Sequence, residues 1–139
     1  MSAPENKALI QRFFKDVLNR GDLAALDDLC AAGFILEAPG IPNQRGQSQG
    51  LPALKEWITS YRTAFPDIRY AILNTVAEDA MIAVDFTASG TQRGAFAGVA
   101  PSGKSVEGHE LCFTYVSGGK IQRMRFCDYG APIEQQLRG

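Results

Sequence analysis

The chain has 139 residues, of which 45% are hydrophobic and 21% charged, and this composition is typical of a globular protein and excludes a disordered or fibrous one. Its formal net charge of −1 lacks the basic excess that favours nucleic acid or anionic lipid as a partner. We therefore expect one domain over residues 1–139 that binds no nucleic acid.

Three cysteines and the lack of targeting signals indicate the compartment. Cys30, Cys112 and Cys127 are odd in number and share no CxxC spacing, so they predict neither a disulfide framework nor a zinc site. The sequence shows no secretory signal pattern, no apolar run long enough to cross a bilayer and no Gly-rich phosphate motif. We expect the thiols to be buried and the protein to be cytoplasmic. We also expect it to bind no membrane, metal or cofactor.

Two short helices are predicted at the start of the chain. Residues 5–20 carry apolar side chains at helical spacing, and Gly21 ends this helix. Asp22 is placed to cap a second helix, whose apolar stripe ends at Gly33. A strand is predicted next, over residues 34–38.

A polar loop and a third helix follow this strand. Residues 40–50 are rich in Gly, Pro, Asn and Gln, so they are predicted to form a loop that is a candidate rim or lid. The third helix is predicted over about 51–65, with Trp57 and Tyr61 one turn apart on its apolar side. These two side chains either pack on a sheet, the commoner role of such a stripe, or line a pocket for an apolar or aromatic ligand.

Strand periodicity replaces helical periodicity after residue 68. Two strand runs over residues 68–94 meet at Glu78 and Asp79, which predicts a hairpin, and Asp85 interrupts the second run. Asp85 is either an exposed sheet residue or an acid of a site. Helices first and a meander of strands afterwards predict an α+β fold with an antiparallel sheet, which can curl around the helices and leave a pocket.

The last two strands contain the leading candidate for chemistry. Paired glycines within residues 117–120 are a strong hairpin signal. In the final strand, period-two alternation places Gln122, Met124, Phe126 and Asp128 on one inward face. Partial loss of water raises the pKa of a carboxyl group there and suits it to proton transfer. The alternative is that Asp128 only ends the strand and accepts hydrogen bonds from the following turn.

Several segments, taken in their order and spacing, closely resemble the SnoaL-like polyketide cyclase family of the nuclear transport factor two-like superfamily. The most specific are AFPD at residues 64–67, the GT…G…G…PSGK…V run over residues 90–106, and GKI followed by an Asp seven residues after the Ile. The resemblance covers nearly the whole chain.

This resemblance implies a fold and a site. The fold is a cone-shaped α+β barrel, in which three N-terminal helices pack on a strongly curved mixed or antiparallel sheet. An Asp on the last strand, at the position of Asp128, acts as acid and base in the intramolecular aldol closure of a polyketide ester without metal or cofactor. The outer face of the sheet is often buried in a dimer, so the resemblance also implies a homodimer.

Two related families are less well matched. The three catalytic positions of ketosteroid isomerases fall on Ala38, Phe13 and about Leu111, which lack the required groups. Limonene epoxide hydrolases resemble the FCDYG end, and Asp128 and Asp85 are candidates for two acids of their Asp-Arg-Asp set. The Arg of that set falls on Ala83, so the set is incomplete.

The leading hypothesis is a cofactor-free acid/base enzyme that acts on a hydrophobic carbonyl compound, with Asp128 as the proton-transfer group. His109, the only histidine, shares strand parity with Leu111, Phe113 and Tyr115, which predicts that it lies with the apolar row and reaches Asp128. It would then stabilise the enolate oxygen, although a hydrogen-bonded core residue is the commoner role of such a His. The predicted pocket walls are Phe13, Trp57, Tyr61, Phe113 and Phe126.

Two other functions stay open at this stage. One is a binding protein that holds a small hydrophobic molecule in the same pocket without turnover, since one fold supports many activities. The other is an epoxide or lactone hydrolase, in which Asp128 and Asp85 share the activation of water.

Overall fold

The computed structural model describes residues 3–38 and 50–139. Most of the loop predicted at residues 40–50, the candidate lid, lies outside the described residues. The helices and strands, in chain order, are α1 (Ala3–Arg12), which continues as a π-helical segment (Phe13–Asn19), α2 (Ala25–Leu29), β1 (Cys30–Glu37), α3 (Leu51–Ala64), β2 (Arg69–Glu78), β3 (Met81–Thr91), β4 (Ser105–Ser117), β5 (Lys120–Tyr129) and α4 (Ile133–Arg138).

The five strands form one mixed sheet in the order β1-β5-β4-β3-β2. Strand β1 runs parallel to β5, and the other three pairs are antiparallel. The predicted α+β class and the mixed sheet packed against helices are therefore confirmed. The sheet of the described residues is not closed into a complete barrel, because β1 and β2 are its two outer strands.

The second helix is shorter than predicted. The Asp22 carboxylate accepts a hydrogen bond from the backbone N–H of Ala25 at 3.3 Å, as expected of a capping residue. The helix ends at Leu29, however, and β1 begins at Cys30, which pairs with Ile121 of β5. Pairing with the sheet therefore overrides the helix propensity of the alanines that follow, because propensity is a weak local preference.

The structure shows the state of the cysteines and the hydrophobicity of the helices. All three cysteines are free; Cys30 and Cys112 are buried as predicted, whereas Cys127 is exposed. No helix in residues 3–38 and 50–139 combines the length and the hydrophobicity that crossing a membrane requires.

The core lies between the helices and one face of the sheet. Inward-facing residues of β3 and β4 alternate strictly with outward-facing ones, as the burial of Ile82, Val84, Phe86 and Ala88 in β3 shows. Phe14, in the π-helical segment, packs its ring edge-on against Phe86 with the ring centres 4.9 Å apart. The helices thus cover the inner face only.

The loop between β3 and β4 is fixed by the fully buried side chain of Gln92. Its Nε2 donates to the carbonyl oxygens of Gly94 and Val99 at 3.1 and 3.0 Å. Its Oε1 accepts from the N–H and the hydroxyl of Ser102 at 3.1 and 2.6 Å. The GT…PSGK run is therefore a folded loop held from inside.

This loop packs on the end of α3. A Cβ atom at Gly94 would lie 2.9 Å from the carbonyl oxygen of Thr63, so only glycine permits this approach. Phe96 then contacts Tyr61 and Phe65, with ring centres 4.9 and 5.3 Å apart. The loop supplies an aromatic side chain to the space beside α3.

Replacing Gln92 by Ala removes the side chain that pairs two carbonyl oxygens and Ser102 inside the loop. Because a buried polar group left without a partner costs about 1–3 kcal/mol, we expect the free energy of unfolding to fall by about 2–4 kcal/mol in urea denaturation. The control is Gln11→Ala, at an exposed position of α1, which should change it by about 0.5 kcal/mol or less. A loss no larger than that of the control would contradict this role of Gln92.

Candidate active site

Two adjoining cavities lie between α3 and the inner face of the sheet. The larger, which we call the vestibule, has a volume of about 800 Å³ and is lined by α3, residues 95–97, Glu110, Asp128 and residues 132–134. The smaller, the inner chamber, has a volume of about 20 Å³ and is lined by Leu18, Leu54, Trp57, Ile58, Tyr61, Tyr70, Phe86, Glu110 and Phe126. Trp57, Tyr61 and Glu110 line both cavities.

Three of the five predicted wall residues lie in these walls. Trp57 and Tyr61 line both cavities, and Phe126 lines the inner chamber. Their rings pack edge-on: the centre of Trp57 is 5.7 Å from that of Tyr61 and 5.0 Å from that of Phe126. The walls are therefore a connected aromatic cluster that bridges α3 and β5.

The structure contradicts the other two wall predictions. Phe13 is fully buried in the core against Phe14, with ring centres 5.8 Å apart, and lines neither cavity. Phe113 is 37% exposed and lies in the outward-facing row of β4. Helical spacing identified Phe13 as apolar and inward-facing, but it could not separate a core residue from a cavity wall.

Asp128 lies where the sequence placed it. It follows the buried Met124 and Phe126 on the inner side of β5 and lines the vestibule, where it is half-buried. Burial raises the pKa of the Asp128 carboxyl group above its ordinary value. Of the two residues predicted to be catalytic, Asp128 and His109, Asp128 lines the vestibule.

Glu110 is a second acid of this site, which the sequence analysis missed. It pairs directly with Asp128 across the β4–β5 ladder and is 5% exposed. Burial, and then the negative charge of Asp128, raise the pKa of Glu110 to about 8. Directly opposed residues on one face of a sheet have Cβ atoms about 4.5–5.5 Å apart, so the two carboxyl groups are neighbours.

A bulge in β5 creates this pairing. Val116 pairs with Ile121, but Tyr115 pairs with Arg123, so Gln122 is an extra residue in the ladder. Without that extra residue, the ladder would continue from Ser117 and Lys120 until His109 stood opposite Asp128. The bulge shifts the partner of Asp128 by one position, and a shift of one residue exchanges the two faces of a strand.

The structure therefore contradicts the predicted placement of His109. The inward row of β4 includes Glu110, whereas His109 lies in the outward row, where its Nε2 is 3.3 Å from Glu107 Oε1. The His109 ring also lies 5.4 Å from that of Tyr129. His109 does not meet Asp128, which faces the other side of the sheet.

Asp85 also lies in an outward row and does not join Asp128. Its carboxylate accepts hydrogen bonds from the Tyr129 hydroxyl and, at 3.0 Å, from Asn74 Nδ2. These bonds lower the pKa of Asp85. The hydrolase hypothesis, in which Asp85 and Asp128 share a water molecule, therefore lacks its second acid.

The alternation in β4 was the signal that could have found Glu110. Val106, Gly108, Cys112, Thr114 and Val116 share its parity and are all buried. The outward row contains larger apolar residues, so hydrophobicity alone favoured the wrong face. A buried acid among small inward residues is the less common pattern, and it marks a candidate site.

The arrangement can hold one proton between two acids. Burial raises the pKa of both carboxyl groups, and a pKa of about 8 keeps Glu110 mostly protonated near neutral pH, so Glu110 can donate a hydrogen bond. Tyr61 lines the same vestibule, and burial, followed by the charge of Glu110, raises the pKa of its phenol. Tyr61 therefore stays protonated and is a further hydrogen-bond donor.

A comparison with protein families decides the classification. A model of the SnoaL-like polyketide cyclase family matches residues 8–137. The chain belongs to this family. A comparison with curated proteins finds no significant match.

Solved structures with low sequence identity share the fold of this SnoaL-like chain. AclR from Streptomyces galilaeus, a proposed hydroxylase, has a TM-score of 0.86 at 22% identity, covering 99% of this chain and 98% of its own. IdmH from Streptomyces antibioticus, a proposed polyketide cyclase, has a TM-score of 0.82 at 22% identity, covering 96% and 99%. A proposed polyketide cyclase from Acidithiobacillus ferrooxidans has a TM-score of 0.82 at 24% identity, covering 99% and 98%.

The stability of Glu110→Gln relative to the unchanged protein tests the raised pKa of Glu110. The folded pKa of about 8 exceeds the ordinary value of 4.5, so the folded protein binds an extra proton between these values and loses stability as pH rises through them. Gln cannot ionise. We expect the free energy of unfolding of the variant, minus that of the unchanged protein, to rise by about 3–5 kcal/mol between the two pKa values and to stay level at higher pH. The size follows because each pKa unit corresponds to about 1.4 kcal/mol.

Urea denaturation at a series of pH values measures this difference. The control is Glu107→Gln, an exposed acid of the same strand, for which the difference should stay small throughout. A difference for Glu110→Gln that is independent of pH would contradict the raised pKa.

Proposed function

We propose that the chain is a cofactor-independent acid/base enzyme that acts on a hydrophobic carbonyl compound, as in the intramolecular aldol closure of a polyketide ester. The observation that carries the proposal is the pair of acids, Glu110 and Asp128, that face one aromatic-lined vestibule from adjacent strands. Such a pair supplies both the base that removes a proton next to a carbonyl group and the donor that the developing enolate oxygen needs.

The reaction follows from these two roles. The Asp128 carboxylate takes a proton from the carbon next to a carbonyl group, and the electron pair of that C–H bond moves into the enolate. The protonated carboxyl group of Glu110 donates a hydrogen bond to the enolate oxygen. The enolate carbon then forms a bond to a second carbonyl carbon of the same molecule. The resulting alkoxide takes the proton back from Asp128, so the pair of acids returns to its starting state.

The charges of the vestibule favour a neutral substrate. Its lining contains four acids, Glu56, Glu110, Asp128 and Glu134, but among the described residues only one basic residue, Lys55. The Lys55 ammonium group is 3.3 Å from a carboxylate oxygen of Asp27, which already balances its charge. A substrate with a free carboxylate would be repelled, so an ester or a ketone is the better substrate.

A ligand-binding protein without turnover is the second candidate function. The aromatic cluster around Trp57 and Tyr61 favours it, because a concave aromatic wall binds apolar molecules whether or not chemistry follows. Removal of an α-proton from a bound ketone separates the two functions.

Exchange of α-protons for deuterium in benzylacetone, followed by proton NMR in deuterated buffer, measures that proton transfer without the natural substrate. We expect the protein to accelerate exchange and Asp128→Asn to reduce the catalysed rate at least about 100-fold, which is the usual contribution of a positioned base. His109→Gln is the control, since His109 lies on the outer face, and it should leave the rate within about twofold. Asp128→Asn at more than one third of the unchanged rate would exclude Asp128 as the base.

The pH dependence of this exchange tests the role of Glu110. The exchange needs an ionised Asp128 and a protonated Glu110. Its rate should fall at low pH, where Asp128 becomes protonated, and at high pH, where Glu110 ionises. We therefore expect a bell-shaped profile whose alkaline fall lies near pH 8. Glu110→Gln keeps an N–H donor that does not ionise in this range. It should lower the maximum about tenfold and abolish the alkaline fall, because a neutral amide is a weaker donor. An alkaline fall that persists in Glu110→Gln would assign it to another group.

We also propose that the protein is a homodimer through the outer face of its sheet. One row across this face contains Val76, Ala83, Phe113 and Arg125, and Val76 is 66% exposed. Exposed apolar side chains in one row are typical of a surface that a partner covers. The Arg123 and Arg125 side chains pair with Glu37 at its border.

Light scattering at micromolar concentration tests the dimer. We expect a dimeric mass for the unchanged protein and a monomeric mass for Phe113→Glu, because a buried unpaired charge opposes association. Glu56→Ala, on the opposite side of the molecule, is the control and should stay dimeric. A monomer for the unchanged protein would exclude the proposal.

A further inference from the structure

We propose that the inner chamber selects the end group of the substrate, so that the enzyme acts on methyl ketones and removes the proton from the methylene side of the carbonyl group. This inference rests on the proposed function, since it assumes that the substrate carbonyl contacts Glu110. It adds the identity of the group beyond that carbonyl and the carbon that loses its proton.

The position of Glu110 between the two cavities is the first argument. Glu110 lines both the vestibule and the inner chamber, whereas Asp128 lines the vestibule only. A carbonyl oxygen that accepts a hydrogen bond from Glu110 therefore has one substituent directed to each cavity. The larger part of the molecule fits the vestibule of about 800 Å³, and the remaining substituent faces the inner chamber.

The size of the inner chamber is the second argument. Its volume is about 20 Å³, and a cavity of about 10–15 Å³ is needed to hold one water-sized group. A methyl group fits this volume, and an ethyl or propyl group does not. Because most of the lining is apolar, the chamber favours a methyl group over water.

The rigidity of the chamber walls is the third argument. Leu54, Ile58 and Phe86 are at most 2% exposed and belong to the hydrophobic core, which holds them from behind. Phe126 also contacts Phe86 and Trp57, with ring centres 6.2 and 5.0 Å apart. Close-packed cores do not absorb an added methylene group without strain, so a longer alkyl group would be rejected.

This placement determines which carbon is deprotonated. The methyl group in the inner chamber lies beyond Glu110, away from the cavity that Asp128 lines. The methylene carbon on the vestibule side is the one that the Asp128 carboxylate can reach. Its C–H electron pair moves into the enolate, its proton moves to Asp128, and in deuterated buffer a deuteron returns from the exchanged acid.

Benzylacetone tests both parts, because its methyl and α-methylene protons give separate NMR signals. We expect catalysed deuterium exchange at the methylene group at least about tenfold faster than at the methyl group, after subtraction of the uncatalysed rates. Exchange at equal rates, or faster at the methyl group, would overturn the inference and leave the proposed function intact. If no ketone exchanges its α-protons, the proposed function fails, and ligand affinities alone then test whether the inner chamber selects a methyl group.

Binding is measured by the fluorescence of Trp57, the single tryptophan, which lines both cavities. We expect benzylacetone to bind at least about tenfold more tightly than its ethyl and propyl ketone homologues, the range that one methylene group commands in an apolar pocket. Equal affinities for the three ketones would overturn the inference. This comparison uses the unchanged protein, so it does not depend on the folding of a variant.

Removing one methyl group from the chamber wall tests whether the inner chamber causes the preference for the methyl ketone. Ile58→Val enlarges the inner chamber, so its preference for the methyl over the ethyl ketone should fall to about threefold or less. Ile121→Val is the matched control: it removes the same methyl group from an equally buried core position that lines neither cavity. The control should keep the full preference, and an equal loss in both variants would assign it to the core as a whole.

Discussion

The extra residue in β5 is the constraint on which the candidate site depends. Gln122 shifts the β4–β5 ladder by one position, so that Glu110, rather than His109, stands opposite Asp128. Because side chains alternate across a sheet, the same shift decides which row of β5 faces the helices beyond Gln122. Two acids then meet on the inner face of the sheet, where burial raises the pKa of both and the charge of Asp128 raises that of Glu110 further.

The helices and this pair of acids together form a site with an inner and an outer cavity. Trp57 and Tyr61, one turn apart on α3, stand between a broad vestibule and a narrow chamber. Glu110 lines both cavities, and Asp128 lines the vestibule only. The asymmetry gives a bound molecule a defined direction, which a single uniform hollow would not. Orientation of this kind is what proximity effects in catalysis require.

Most of the architecture could be predicted from the sequence, because it depends on periodicity and on turn residues. Such local patterns predict helix α3, the two hairpins and the inward row of Met124, Phe126 and Asp128. The bulge at Gln122 does not, since nothing in the local sequence distinguishes an extra residue from a paired one. His109 and Phe113 were misplaced, and Glu110 was missed, because the larger apolar residues of β4 lie in its outward row, and the bulge hid the pairing of Glu110 with Asp128.

The loop held by Gln92 has a consequence for related sequences. Its glycines and Ser102 serve the shape of the wall, not the transfer of a proton. A chain can therefore keep these loop residues and lose either acid, and it would retain a hollow of the same form. Under the proposed function such a chain would not transfer protons, because the residues that shape the loop and the two acids lie at different positions.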